Sequence, residues 1–145
     1  MGTILIALAV WGSGTLARWY LHRTSRRPVE CLKGWLRFTV LWNRQGAFDA
    51  PIQARRVAAV SALLLPFLLK YRKDSPLGTG LVLGGGLSNL WERLRYGRVY
   101  DYLQCPKAPK RIRTYVYNLA DLVIFAGTAT LFLRQLFKRD RRRKP

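Results

Sequence analysis

Gly84-Gly85-Gly86-Leu87-Ser88-Asn89-Leu90-Trp91-Glu92-Arg93-Leu94-Arg95-Tyr96-Gly97-Arg98-Val99-Tyr100-Asp101-Tyr102 begins as a glycine-lined apolar helix, turns polar within one turn and ends on a carboxylate. A second junction of polar and apolar sequence, Tyr117-Asn118-Leu119-Ala120-Asp121, follows and again holds a carboxylate. Acids are scarce, seven Asp and Glu against 26 Lys and Arg, and two of them stand at these junctions. That placement predicts a two-carboxylate site at a membrane surface.

The 145 residues fit one domain. A formal net charge of +19 first suggests nucleic acid. The hydrophobic residues argue against it: they fall in blocks separated by basic connectors, where a soluble nucleic-acid binder would mix them within amphipathic elements. Basic segments beside apolar spans read as membrane topology or anionic-lipid contacts.

Four apolar segments are expected as spanning helices, at about residues 2–21, 57–71, 77–94 and 117–137. Trp19 and Tyr20 lie where aromatic side chains favour the interface, and Arg18 is near enough to the end of its segment to snorkel. The first segment lacks a positive n-region and a clear small-residue cleavage site, so it reads as a retained anchor rather than a signal peptide. Pro66 should kink the second. In the 22–56 connector, Leu36, Phe38, Val40 and Trp42 alternate with Arg37, Thr39, Leu41 and Asn43, and a turn-like 43–48 follows. This predicts a small sheet on the membrane surface between helices one and two. The basic 138–145 tail should be cytoplasmic, which puts the 22–56 and 95–116 connectors outside; those connectors hold more Lys and Arg than the inner loop and tail, so charge alone does not fix the orientation. The expected class is an all-α integral membrane protein with one small surface β element.

Several residues carry chemistry. Gly84, Gly85 and Gly86 admit close helix approach, and no Lys-Ser/Thr follows them as a phosphate loop requires. Asn89, Glu92 and Arg93 are spaced to share a helix face, either as a polar site in the bundle or as a Glu92–Arg93 contact at the helix end. Asp101 and Asp121 could meet at one depth. Two close carboxylates share a proton, so one activates a water while the other polarises a carbonyl; buried polar packing is the alternative. Cys31 and Cys105 fit no metal spacing and read as unpaired thiols, with a disulfide open to them in an oxidising compartment. His22 reads as an interfacial side chain.

At these residues the chain resembles signal peptidase II, the lipoprotein signal peptidase family of bacteria. That family carries approximately G-G-A-x-G-N-x-x-D-R-x-x-x-G-x-V-x-D-F, then F-N-x-A-D-x-x-I. Gly84, Gly85, Asn89, Arg93, Gly97, Val99 and Asp101 fall in register, as do Asn118, Ala120, Asp121 and Ile124, with Tyr102 and Tyr117 in place of the aromatic Phe. An earlier motif, N-x-G-A-A-F, is echoed by Asn43, Ala47 and Phe48, its Gly displaced to Gly46. Glu92 replaces an Asp, Ser88 a Gly and Gly86 an Ala. The first-span signature D-Q-x-T-K is reduced to Gly14-Thr15-Leu16-Ala17-Arg18, losing its acid and keeping a basic residue.

The resemblance implies a four-span fold in the bacterial cytoplasmic (inner) membrane, with the active site at the extracytoplasmic face. It implies Asp101 and Asp121 as the catalytic pair, and Asn43, Asn89, Arg93 and Asn118 as substrate-binding residues. The implied reaction cleaves a prolipoprotein signal peptide before the diacylglyceryl-modified cysteine, with no metal or cofactor. Implied partners are the prolipoprotein and membrane lipids, not nucleic acid. The rival reading is a non-catalytic membrane protein of the same fold whose basic loops bind anionic lipid headgroups.

Overall fold

The structure is a computed structural model that describes residues 1–24, 28–44 and 53–141. The turn expected over 43–48, with Gly46, Ala47 and Phe48, lies largely outside the described residues. Among the described residues, five α-helices and four strands follow in the order α1 (Gly2–Thr24), β1 (Val29–Cys31), β2 (Leu36–Asn43), α2 (Ala54–Leu64), α3 (Pro76–Tyr96), β3 (Val99–Gln104), α4 (Lys110–Arg113), β4 (Val116–Tyr117) and α5 (Leu119–Arg141). After Leu64 the chain tightens into a 3-10 helix, Leu65–Tyr71, with Pro66 near its start. A proline lacks the N–H that would continue the α-helical ladder, so the change of helix type falls where the sequence dictates.

α3 lies against the other long helices, and its three consecutive glycines face three different neighbours. A Cβ on Gly84 would stand 2.6 Å from the Ala7 carbonyl oxygen of α1, and one on Gly85 would stand 2.7 Å from the Ala120 carbonyl oxygen of α5. One on Gly86 would meet the Leu65 side chain just beyond α2. At Gly84 and Gly85 the obstacle is backbone, so no side chain fits there, which is the small-residue helix contact expected from sequence; at Gly86 it is the end of a leucine side chain. Ser75 caps α3 by accepting the Gly78 N–H at 3.2 Å. Gly97, at φ +67°, ends it in a left-handed turn that feeds directly into β3.

The four strands form one antiparallel sheet in the order β1-β2-β3-β4. This corrects the expectation of an all-α protein with a β element confined to the segment between the first two long helices. Half of the sheet comes from the chain between α3 and α5. The signal was hidden because Val99, Tyr100, Asp101 and Tyr102 are all buried, so β3 shows no inside–outside alternation. In the β2–β3 pairing Leu41 lies opposite Asp101, Trp42 opposite Tyr100 and Asn43 opposite Val99. Asn43 and Asp101 therefore share one face of the sheet, and Trp42, Tyr100 and Tyr102 the other. His22 at the end of α1 lies against Trp42 and Tyr100, with ring centroids 6.0 and 5.9 Å away.

The strand register also decides the cysteines. Cys31 pairs with Leu36 on one side of β2, and Cys105 follows Gln104, which pairs with Arg37 on the other side. Two strand spacings, roughly 9–10 Å, separate them, more than a disulfide spans. Both are free thiols.

Burial differs from that of a water-soluble protein. Thr3, Ser75, Thr79, Ser88, Glu92, Asp101 and Asn118 are buried alongside Leu83, Val99, Tyr100 and Tyr102, while Leu5, Leu16, Leu63, Phe67, Phe125 and Phe132 are exposed. Among the described residues, two helices are long and apolar enough to cross a membrane, Gly2–Thr24 and Leu119–Lys138. An apolar outer surface of this extent needs lipid as its solvent.

Candidate active site

The site forms where α3, β3 and the start of α5 meet. α5 begins with a reciprocal cap. Asn118 Oδ1 accepts the Asp121 N–H at 3.0 Å, and Asp121 Oδ2 accepts the Asn118 N–H at 3.0 Å. This is the capping-box arrangement, with amide and carboxylate in place of the usual hydroxyl and Glu. The next free N–H, that of Leu119, donates to the Tyr102 hydroxyl at 3.1 Å. The cap therefore fixes Asp121 relative to β3.

Asn118 also reaches across the site. Its Nδ2 donates to Asp101 Oδ1 at 2.8 Å and to Asn89 Oδ1 at 3.1 Å. Asn89 Nδ2 in turn donates to Asp121 Oδ1 at 2.9 Å. Two carboxylates and two amides thus form one hydrogen-bonded network from three elements. Asn43 adds a side-chain hydrogen bond to Asp101, as their shared sheet face requires.

Arg93 lies one turn beyond Asn89 and donates from Nη1 to the Asn89 carbonyl oxygen at 3.4 Å. Its Nε is buried with no partner among the described residues, and its charge acts on both Asp101 and Asp121. Every sequence-expected site residue (Asn43, Asn89, Arg93, Asp101, Asn118 and Asp121) falls within this one network or beside it.

Asp101 is 3% exposed. Burial first, and then the neighbouring charge of Asp121, push its carboxyl up to about 7, against the opposing pull of Asn118, Asn43 and Arg93. A carboxyl in that state holds a proton near neutral pH and can donate it. Asp121 is half-buried and completes the pair.

Glu92 departs from the expected common face. It turns away from Asn89 and Arg93 towards α1, where its Oε1 lies 3.3 Å from Arg18 Nε, and its Oε2 accepts the Tyr100 N–H at 2.8 Å. The helix-end contact with Arg93 gives way to a pair between helices. One turn earlier on both helices, a Cβ on Gly14 would stand 2.9 Å from Ser88 Oγ. Gly14 and Ser88 thus lie against each other in the α1–α3 seam. Arg18, expected to snorkel towards the interface, instead turns inward to Glu92, and Tyr102 had been read only as an aromatic replacement. The usable signals were a phenol in place of Phe beside Asp101, and a cation inside an apolar segment.

The fold and this network define a membrane protein with two carboxylates, one buried and one half-buried, bridged by amides. The profile of the family described as Signal peptidase (SPase) II matches residues 6–137. The lipoprotein signal peptidase of Syntrophomonas wolfei subsp. wolfei is 36% identical over 132 residues, covering 85% of this chain and 83% of that protein. That of Rhodopseudomonas palustris (strain TIE-1) is 28% identical over 146 residues, covering 92% and 89%. A solved structure of a bacterial membrane enzyme superposes with a TM-score of 0.83 at 20% identity, covering 98% of this chain and 91% of its own, which shows a shared fold. The chain belongs to the signal peptidase II family.

Proposed function

We propose that this protein is an aspartic endopeptidase that removes the signal peptide of prolipoproteins, cutting before the diacylglyceryl-modified cysteine, with Asp101 and Asp121 as its catalytic pair. The observation that carries the reading is the single residue, Asn118, hydrogen-bonded to both carboxylates. Asp101 carries the shared proton and donates it to the scissile carbonyl oxygen. Asp121 takes a proton from the attacking water. The carbon–nitrogen bond then breaks, and the leaving amine is protonated by the pair. Asn43, Asn89 and Asn118 hold the substrate backbone, and Arg93 supplies positive charge beside the oxygen on which negative charge develops.

The same reading has α1, α2 with its 3-10 continuation, α3 and α5 as four spans of the bacterial cytoplasmic membrane, with the sheet and site at the extracytoplasmic face and the 138–145 segment inside. An open apolar groove of about 910 Å³ supports a lipid-bearing substrate. It is lined by Ala17, Leu21, Phe38, Tyr102 and Leu119, so it reaches the residue after Asp101 and the residue after Asn118.

The test is cleavage of a lipidated prolipoprotein by purified protein in detergent, beside Asp101→Asn and Asp121→Asn. Turnover in the parent that both substitutions abolish, with folding intact, is the expected result. A folded parent without turnover would move the assignment to the non-catalytic, headgroup-binding reading.

A further inference from the structure

Glu92 is 6% exposed and meets three elements at once. It sits on α3, faces Arg18 of α1 at 3.3 Å and accepts the Tyr100 N–H of β3 at 2.8 Å. The Arg18 guanidinium also lies over the Tyr96 ring, 4.8 Å from its centroid. Among the described residues no strand reaches the Tyr100 amide on that side, since β4 pairs with Leu103 and Gln104. Tyr100 is 1% exposed, so without Glu92 its N–H would be a buried orphan. Glu92 therefore stands in for a missing strand at the residue next to Asp101. Its buried charge is tolerable because Arg18 pairs it.

We propose that Glu92 and Arg18 form a positioning pair: by fixing the backbone at Tyr100 they set the depth at which Asp101 presents its carboxyl to Asn118 and Asp121. The proposal rests on the reading of Asp101 as catalytic. Arg18 against Glu92 and, one turn earlier, Gly14 against Ser88 are successive rungs of the α1–α3 seam. The acid faces Nε of the base at 3.3 Å. A Lys Nζ lies farther from its backbone than an Arg Nε, and an Asp carboxylate one methylene nearer its backbone than that of Glu. Swapping both residues therefore exchanges reach between the partners.

The experiment measures kcat and KM on a lipidated prolipoprotein for the parent, Glu92→Asp, Arg18→Lys, the double variant R18K/E92D and, as control, Asp101→Asn. Each single swap is expected to lower kcat by about tenfold or more with KM within about twofold, because small misplacement of a reacting group is costly. The double variant recovers most of the loss, a coupling that independent sites do not show. Neutral single swaps, or losses that simply multiply in the double variant, overturn the positioning role. If Asp101→Asn is inactive while the swaps are neutral, the proposal alone fails. If Asp101→Asn retains full turnover, the aspartic reading itself fails. Hydrogen exchange at the Tyr100 amide supplies a readout independent of turnover. Glu92→Gln, which keeps an acceptor but loses the ion pair, should exchange there about tenfold faster than the parent, and unchanged exchange overturns the proposal.

Discussion

Asn118 and Asp121 cap each other across the first turn of α5, each accepting the other's backbone N–H at 3.0 Å. The groups proposed to bind substrate and activate water are thus also the groups that start the helix. Stability and chemistry are joined in one pair.

That union can be separated by substitution. Asn118→Ser keeps a capping oxygen and loses the amide that bridges Asp101 and Asn89. It should unfold within a few degrees of the parent and turn over at least about 100-fold more slowly. Asn118→Ala loses both, with a further cost of about 1 kcal/mol. Thermal unfolding in detergent, read beside turnover, distinguishes the two effects.

The pH dependence follows from Asp101. Burial and the neighbouring Asp121 raise its carboxyl from the ordinary aspartate range to about 7. The stability tied to it is complete below the unfolded value and is lost as pH rises through the folded one, on the order of 4 kcal/mol in all. Asp101→Asn should therefore unfold at a higher temperature than the parent at about pH 8, with little difference at about pH 4. In the parent, kcat/KM should fall above about pH 7 as the shared proton is lost. A profile flat to about pH 9 would remove Asp101 as proton donor.

Gly85 tests the seam beneath the site. A Cβ there would stand 2.7 Å from both the Ala120 carbonyl oxygen and the Ile124 side chain. Gly85→Ala should push α5 away beside Asp121, costing about 1–3 kcal/mol and most of the activity. Gly12→Ala, where a Cβ meets nothing within 4 Å, should change neither.

Tyr102→Phe removes the hydroxyl that accepts the Leu119 N–H. A loss of about 1 kcal/mol is expected, with turnover within a few-fold of the parent. A collapse of activity would show the phenol to act on substrate rather than on the helix start.

Much of this was legible in the chain. The long helices follow from apolar blocks bounded by basic residues, and β2 from the alternation of Leu36, Phe38, Val40 and Trp42. Asp101 and Asp121 were legible because an acid at a polar–apolar junction is rare in so basic a sequence. β3 was not, since a strand buried on both faces carries no period. The pairing of Arg18 with Glu92 was equally hidden. Helical spacing put Glu92 on the Asn89 side, and only the turn at Gly97, which brings Tyr100 back under α3, gives its carboxylate a reason to face the other way. Tyr102 read as an aromatic substitution until its hydroxyl was seen to complete the cap of α5.

The apolar outer surface has a practical corollary. Polar side chains share the interior with the tyrosines of β3, while many leucines and phenylalanines face outward, so the surrounding medium contributes part of the cohesion that an oily centre gives a soluble enzyme. Heat resistance of the purified protein will track the chain length and fluidity of its detergent or bilayer. Substitutions such as Phe125→Leu, on the outer face, will register as a change of preferred amphiphile rather than as damage to the fold.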